Sequence, residues 1–278
     1  MFKNRNLVIA TKHHKEAVIA PLFESEFGVK CIVPANIDTD LLGTFSGEIE
    51  RKKDALTTLR NKCLMGMHML QCDLGIASEG SFGMHPTAFF LPSNFELMML
   101  IDLKNNLEIT ASVLSTETNF NAREIHTQVE LDEFCEQTMF PEHALILKDK
   151  KDNFSRLEKN LNSYEKLVPM FEEFVKLYGK AYVETDMRAM YNPSRMKVIA
   201  QVSQKLIENI KSYCPICLTP GFIINKNIPG LPCELCSNPT HDILGVEYLC
   251  KKCFYTSITN YSDGKKFSDP RHCNFCNP

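Results

Sequence analysis

The sequence predicts a mixed α/β sheet with flanking helices over residues 1–210, followed by a small zinc-ribbon-like module over residues 211–278. Three observations predict it. Short apolar runs alternate with stretches whose apolar residues recur every three or four positions, the two periods of strand and helix. Eight of the 12 cysteines crowd after Tyr213 as four CxxC pairs. No low-complexity linker separates the two parts, so the module is expected to be docked rather than tethered, and 278 residues suffice for one large domain plus a smaller one.

Residues 7–10 are a short apolar strand, residues 16–27 a helix ended by Gly28, and residues 29–33 the next strand. From residue 48 to 70, Leu56, Leu59, Cys63, Met67 and Leu70 fall at helical spacing, one face of a long amphipathic helix. Residues 74–77 re-enter the sheet. Residues 97–102 and 107–113 flank Lys104, Asn105 and Asn106, turn chemistry that predicts a β-hairpin. Residues 144–147 are a strand before a polar surface loop at 148–155. Tyr164, Leu167, Phe171, Phe174 and Tyr178 mark a helix stopping at Gly179, and residues 181–184 a further strand. Asn192 and Pro193 open the last helix, a capping side chain followed by proline at the first helical position. Its face of Met196, Ile199, Val202, Leu206 and Ile210 leads into the first cysteine pair.

The formal net charge of -3 supplies no global basic field of the kind nucleic-acid binders use, although a local patch would be compatible with it. No apolar run approaches bilayer length, so no membrane partner is expected. The apolar stretch behind Lys3 and Arg5 is too short for a secretory signal, which places the protein in the cytoplasm. In that reducing setting Cys31, Cys63, Cys72 and Cys135 read as small core hydrophobes.

The crowded cysteines are Cys214 and Cys217, Cys233 and Cys236, Cys250 and Cys253, Cys273 and Cys276. Each pair can aim two sulfurs at one metal, so four pairs supply two closed tetrathiolate sites for two structural zinc ions. Such sites leave no open position for water and no hydrolytic chemistry at the metal. His241 and His272 lie nearby but are surplus to eight cysteines. Residues 240–248 offer a short strand or turn between the middle pairs. That favours nesting, first pair with last and second with third, over an interleaved arrangement.

Polar groups cluster where strands end, the place open α/β sheets put ligands. Thr11, Lys12, His13, His14 and Lys15 follow the first strand and precede a helix, a setting suited to phosphate or equally to a solvated turn. Asp38, Asp40, Glu48 and Glu50 flank a glycine-bearing stretch before the long helix, where carboxylates hold magnesium or simply favour the helix start. Ser78, Glu79, Gly80, Ser81, Phe82 and Gly83 follow residues 74–77, and their two glycines suggest backbone approaching a ligand, with Glu79 a second acidic metal contact, or a tight turn alone. Glu117 ends the hairpin. Asp186 and Arg188 end the later strand, either as ligand contacts or as an internal ion pair. Arg195, on the first turn of the last helix, could reach a base or phosphate.

The motif order ATKHHKE, GTFSGEIERKKDAL, LGIASEGSFG, NPSRM resembles the inosine triphosphate pyrophosphatase-like superfamily over residues 1 to about 210. That resemblance implies hydrolysis of non-standard nucleoside triphosphates with magnesium. It gives Lys15 the phosphate, Glu48 and Glu79 the metal, and Arg195 the base, with Thr11, His13, Ser78, Glu117, Asp186 and Arg188 as substrate-side candidates. His13 stands where asparagine is usual, Ser78 replaces an acid, and Asn192, Pro193 and Ser194 precede Arg195 without the usual histidine. The whole-chain pattern, with ETDMRAMYNPSRM, CPICLTPGF, GLPCELC and CNFCNP, resembles a bacterial family built on a domain of unknown function with a C-terminal zinc ribbon.

The expectation is therefore a magnesium-dependent hydrolase of nucleotides or related phosphate esters, with Glu48, Glu79 and Lys15 as its catalytic set. The alternative is a non-catalytic nucleic-acid- or protein-binding module that uses the zinc ribbon, where Lys251, Lys252, Lys265, Lys266 and Arg271 supply positive charge.

Overall fold

The computed structural model describes residues 1–39 and 54–278, and the chain divides into two compact units, Met1–Ile207 and Glu208–Pro278. The first unit is mixed α/β. It opens with β1 (Asn6–Ala10), α1 (Glu16–Phe27), β2 (Lys30–Ile32), α2 (Ala55–Met69), β3 (Leu74–Met84), β4 (Pro92–Asp102) and β5 (Leu107–Ser115). These strands form one sheet in the order β2-β1-β3-β4-β5. β1 runs parallel to β2 and β3, whereas β3, β4 and β5 form an antiparallel meander.

A single sheet was expected, but the described residues of the first unit form two. The second comprises β6 (Ala122–Ile125), β7 (Leu145–Lys148), β8 (Leu157–Leu161) and β9 (Ala181–Thr185), all antiparallel in the order β6-β9-β7-β8. Its helices are α3 (Gln128–Gln137) and α4 (Tyr164–Tyr178), after which α5 (Pro193–Lys211) runs into the start of the second unit. Sequence periodicity missed β6, α3 and β8. The two strands are short and polar, and α3 is marked by its ends: Thr127 accepts from Glu130 N while Glu130 caps the Thr127 amide, a capping box contributing about 1 kcal/mol.

Each sheet has its own core. Leu59, Cys63 and Met67 of α2 pack on Val8, Ala10, Ala77, Met99 and Ile101 of the first sheet. The helix lies so close that a Cβ on Gly66 would sit 2.9 Å from the Ala10 Cβ. Phe134, Phe171 and Phe174 of α3 and α4 pack on Leu145, Leu147, Ala181 and Val183 of the second sheet. Each fully buried phenylalanine contributes roughly 2–3 kcal/mol relative to exposure. Cys63 and Cys135 are buried in these cores, and Cys31 and Cys72 are half-buried. Burial pushes the Cys63 and Cys135 thiols up to about 12, consistent with inert core residues.

Two local expectations change. The helix expected from residue 48 begins at Ala55, where Asp54 accepts from Thr57 N at 2.9 Å. Residues 78–83 are not a turn, because β3 continues through them to Met84, each residue paired with β4.

The second unit is a three-stranded antiparallel meander of β10 (Ile223–Pro229), β11 (Ile243–Leu249) and β12 (Thr256–Asn260). The Phe222 ring stacks between Tyr248 and Tyr255, with centroids at 5.6 and 5.8 Å. Among the described residues no helix is long and apolar enough to cross a membrane.

Candidate functional site

In the first sheet, β1 ends where Ala10 pairs with Ala77, but β3 runs on past that point. Ser78 and Glu79 are thus the first β3 residues beyond the carboxyl end of a parallel strand, where α/β sheets open a crevice. The chain leaves β1 through Thr11, whose hydroxyl accepts from His13 N at 3.2 Å, and turns through His14 in the left-handed region (φ 56°). That turn delivers Lys15, at the start of α1, to Ser78. Lys15 Nζ donates to Ser78 Oγ at 2.9 Å and to the Ser78 carbonyl at 3.2 Å.

Alternation along β3 sends Glu79 to the opposite face from Ser78, where Lys62 of α2 donates to its carboxylate. On the Ser78 face, Gly80 pairs with Glu96 of β4, and Arg195 Nε donates to Glu96 Oε1 at 2.7 Å. Arg195 is placed from its own backbone. Asn192 Oδ1 accepts from Arg195 N at 2.8 Å, capping α5 as the sequence predicts, and the guanidinium also donates to the Met187 carbonyl. It lies 5.2 Å from the Phe82 ring centroid. Gly80 is required there, since a Cβ would approach Glu96 Oε1 to 2.4 Å and Arg195 Nη2 to 2.6 Å.

On the Ser78 face two buried cations, Lys15 and Arg195, stand against one buried carboxylate, Glu96, among the described residues, while the buried Lys62 and Glu79 pair on the other face of β3. Burial, reinforced by repulsion from Arg195 and Lys62 and opposed by Glu96 and Glu79, pushes the Lys15 amine down to about 7. Such a centre can accept an anion, whose charge would raise the protonated fraction of Lys15 and balance the excess.

Of the residues singled out by sequence, Lys15, Ser78 and Arg195 lie on one face of the sheet, with Thr11 and His13 in the adjoining turn, whereas Glu79 faces the other side. Glu48 lies outside the described residues. Glu117 is exposed just beyond β5. Asp186 accepts from Arg188 N and Nε at 3.0 and 2.9 Å, and Arg188 also reaches Asn160 at 2.9 Å, so the internal ion pair is formed. Lys62 and Glu96 were not anticipated. Their signal was a lysine beside Cys63 on the apolar face of a helix, and a glutamate two residues before the inward Met98 of an apolar strand.

The thiolates of the second unit form two tetrads, Cys214, Cys217, Cys250, Cys253 and Cys233, Cys236, Cys273, Cys276. This corrects the nested expectation to an interleaved one. Successive strands reverse direction, so the first and third pairs flank one end of β10 and β11, while the second and fourth lie at the other. The strand between the middle pairs, β11, holds them apart by roughly 20 Å at 3.3 Å per residue.

Sulfur separations fit a metal. Cys214 to Cys253 is 3.6 Å, Cys217 to Cys250 3.5 Å, Cys236 to Cys273 3.6 Å and Cys233 to Cys276 3.9 Å. Tetrahedral zinc with sulfurs at about 2.3 Å requires edges of about 3.8 Å, far beyond the ~2.05 Å of a disulfide. Both tetrads could hold zinc. The first three pairs share a backbone design: Cys214, Cys233 and Cys250 carbonyls each accept from the amide four residues on at 2.9 Å, a residue in the left-handed region. Thr219 holds the Cys217 thiol down to about 6 through its hydroxyl and its amide. His272 Nδ1 is 2.9 Å from Asp242, and His241 Nε2 is 3.1 Å from Asn274. Neither histidine belongs to a tetrad.

A family model described as Domain of unknown function (DUF6671) matches residues 62–278. No curated protein matches the chain.

Proposed function

The chain belongs to the DUF6671 family, and from that premise we propose that its first unit binds and hydrolyses a nucleotide or related phosphate ester at Lys15. The observation that carries the reading is the buried Lys15 amine beyond the end of β1, on a face where the described residues place two cations, Lys15 and Arg195, against the carboxylate of Glu96. A phosphate there replaces the solvent that burial removed from Lys15 and Arg195, which is electrostatic stabilisation of the kind phosphoryl transfer uses. The matched region contains Lys62, Ser78, Glu79, Glu96 and Arg195 but starts after Lys15. The resemblance to the inosine triphosphate pyrophosphatase-like superfamily supports the same reading through the order of the motifs.

Magnesium enters this reading through that resemblance alone. Glu79 and Glu96 each hold a cation of their own chain, Lys62 and Arg195, so the described carboxylates do not fit a magnesium site as they stand. The residues of the chain orient the phosphate and neutralise its charge. The test is a screen of nucleoside triphosphates and simpler phosphate esters, with and without magnesium, scoring phosphate and pyrophosphate release by wild type, Lys15→Met and Glu48→Gln. Release that disappears in Lys15→Met supports the reading, and release from no substrate by folded, zinc-loaded protein overturns the hydrolase.

A second reading, a binding role for the zinc module, has one observation in its favour. Ile216, Leu218 and Phe254 are exposed on the two pairs of one tetrad. A protein partner suits them better than nucleic acid. Residues 208–278 carry seven basic and six acidic side chains, and each zinc tetrathiolate adds two negative charges, leaving the loaded module anionic. Salt-insensitive capture of a defined protein partner, lost in Phe254→Ser, would support this reading; steeply salt-dependent binding to oligonucleotides would refute its choice of partner.

A further inference from the structure

Beside the Lys15 centre, three buried polar atoms on one strand have no hydrogen-bond partner among the described residues: Asn94 Oδ1, Asn94 Nδ2 and Glu96 Oε2. Both side chains are fully buried. Native proteins rarely leave such atoms unmet, because each has lost its water without compensation. Three together, from residues two apart on β4 and hence on one face, mark a place built for a polar group.

The unmet atoms define that group. Glu96 Oε2 and Asn94 Oδ1 each need a donor, and Asn94 Nδ2 needs an acceptor. A vicinal diol supplies two O–H donors and two acceptor oxygens on adjacent carbons. A single lactam edge supplies one donor and cannot serve both oxygens. Position agrees. Gly80 faces Glu96 and Phe82 faces Asn94, on the same face of β3 as Ser78, which receives Lys15. Glu96 is therefore one same-face step, about 7 Å, from the phosphate position, and Asn94 about 13 Å along the strand. The Phe82 ring, against Phe120 at 5.8 Å, provides an apolar wall.

We propose that Asn94 and Glu96 bind the vicinal diol of a ribose-type sugar whose phosphate is held at Lys15, an inference that rests on the phosphate reading above. The ligand is thus a sugar phosphate or ribonucleotide, discriminated from its 2-deoxy counterpart by the chain itself.

The experiment is calorimetric titration of the full, zinc-loaded chain with ribose 5-phosphate, 2-deoxyribose 5-phosphate and inorganic phosphate. Wild type should bind ribose 5-phosphate at least tenfold more tightly than the deoxy sugar, as loss of a hydrogen bond to a buried charged group implies. Asn94→Leu should erase that preference and leave inorganic phosphate affinity unchanged. Its fold should survive, since the Asn94 side chain bonds to none of the described residues. Glu96→Gln, which keeps the shape, should reduce the preference. Equal affinity for the two sugars, or a preference that persists in Asn94→Leu, overturns the diol site; if inorganic phosphate still binds and Lys15→Met abolishes that, the phosphate reading stands alone. Failure of all three probes to bind overturns both.

Discussion

Lys15 Nζ lies 2.9 Å from Ser78 Oγ, so the buried amine finds its hydrogen bonds on neutral groups of Ser78 while Arg195 and Lys62 repel its charge. Its pKa falls from 10.5 to about 7 on folding. Between those values the unfolded chain binds more protons than the folded one, so this group makes stability rise with pH from about 7 to about 10.5. Lys15→Met should therefore stabilise the ligand-free protein by about 1–3 kcal/mol at pH 6.5, and by much less at pH 10. Urea unfolding of both proteins at the two pH values measures this; a gap that does not shrink would contradict it.

Glu96 and Arg195 form an ion pair with neither side chain exposed. Removing one partner strands the other charge, so Glu96→Leu or Arg195→Met should each cost about 3–5 kcal/mol. The double substitution should cost less than either single one. Denaturant midpoints for the four proteins complete the cycle.

His143 Nε2 receives the backbone N–H of Ser194 at 3.2 Å and lies 3.0 Å from Ser194 Oγ. A backbone N–H can only donate, so Nε2 must be the acceptor and the ring must be neutral. Burial holds the imidazole below its ordinary value of 6.5. The stabilisation is thus present above that value and is lost as the pH falls below it. The Tm of wild type should drop between pH 7 and pH 5 more steeply than that of His143→Gln.

Interleaved zinc sites make a stoichiometric forecast. Cys214→Ser with Cys250→Ser damages one tetrad and should leave one zinc per chain. Cys214→Ser with Cys233→Ser damages both and should leave none. Nested pairing would give zero for the first combination. Metal analysis of the purified variants decides between them.

The legible parts of this protein were those whose signal is local. Gly28 and Gly179 end their helices in the left-handed region as expected, and Asn192 caps α5. Asn106, at φ 52°, turns the β4–β5 hairpin. The tetrads were legible as a set of ligands, yet their partnership depends on strand direction, and β12 had not been foreseen. The extension of β3 through residues 78–83 was hidden by its two glycines. One of them, Gly80, serves the close approach of Arg195 and Glu96 rather than a turn. Lys62 and Glu96 were hidden because each looks like an ordinary charge until long-range packing closes over it.

The interleaving of the cysteines has a consequence for how metal is taken up. One tetrad closes a span of 39 residues, from Cys214 to Cys253, and the other a span of 43, from Cys233 to Cys276. The spans overlap, and the segment they share contains β11. Loading either ion tethers that segment at one end and shortens the search at the other, because the chain entropy of closing the second loop has already been partly lost. Zinc titration of the metal-free chain should therefore be cooperative, with a half-metallated population that stays sparse throughout.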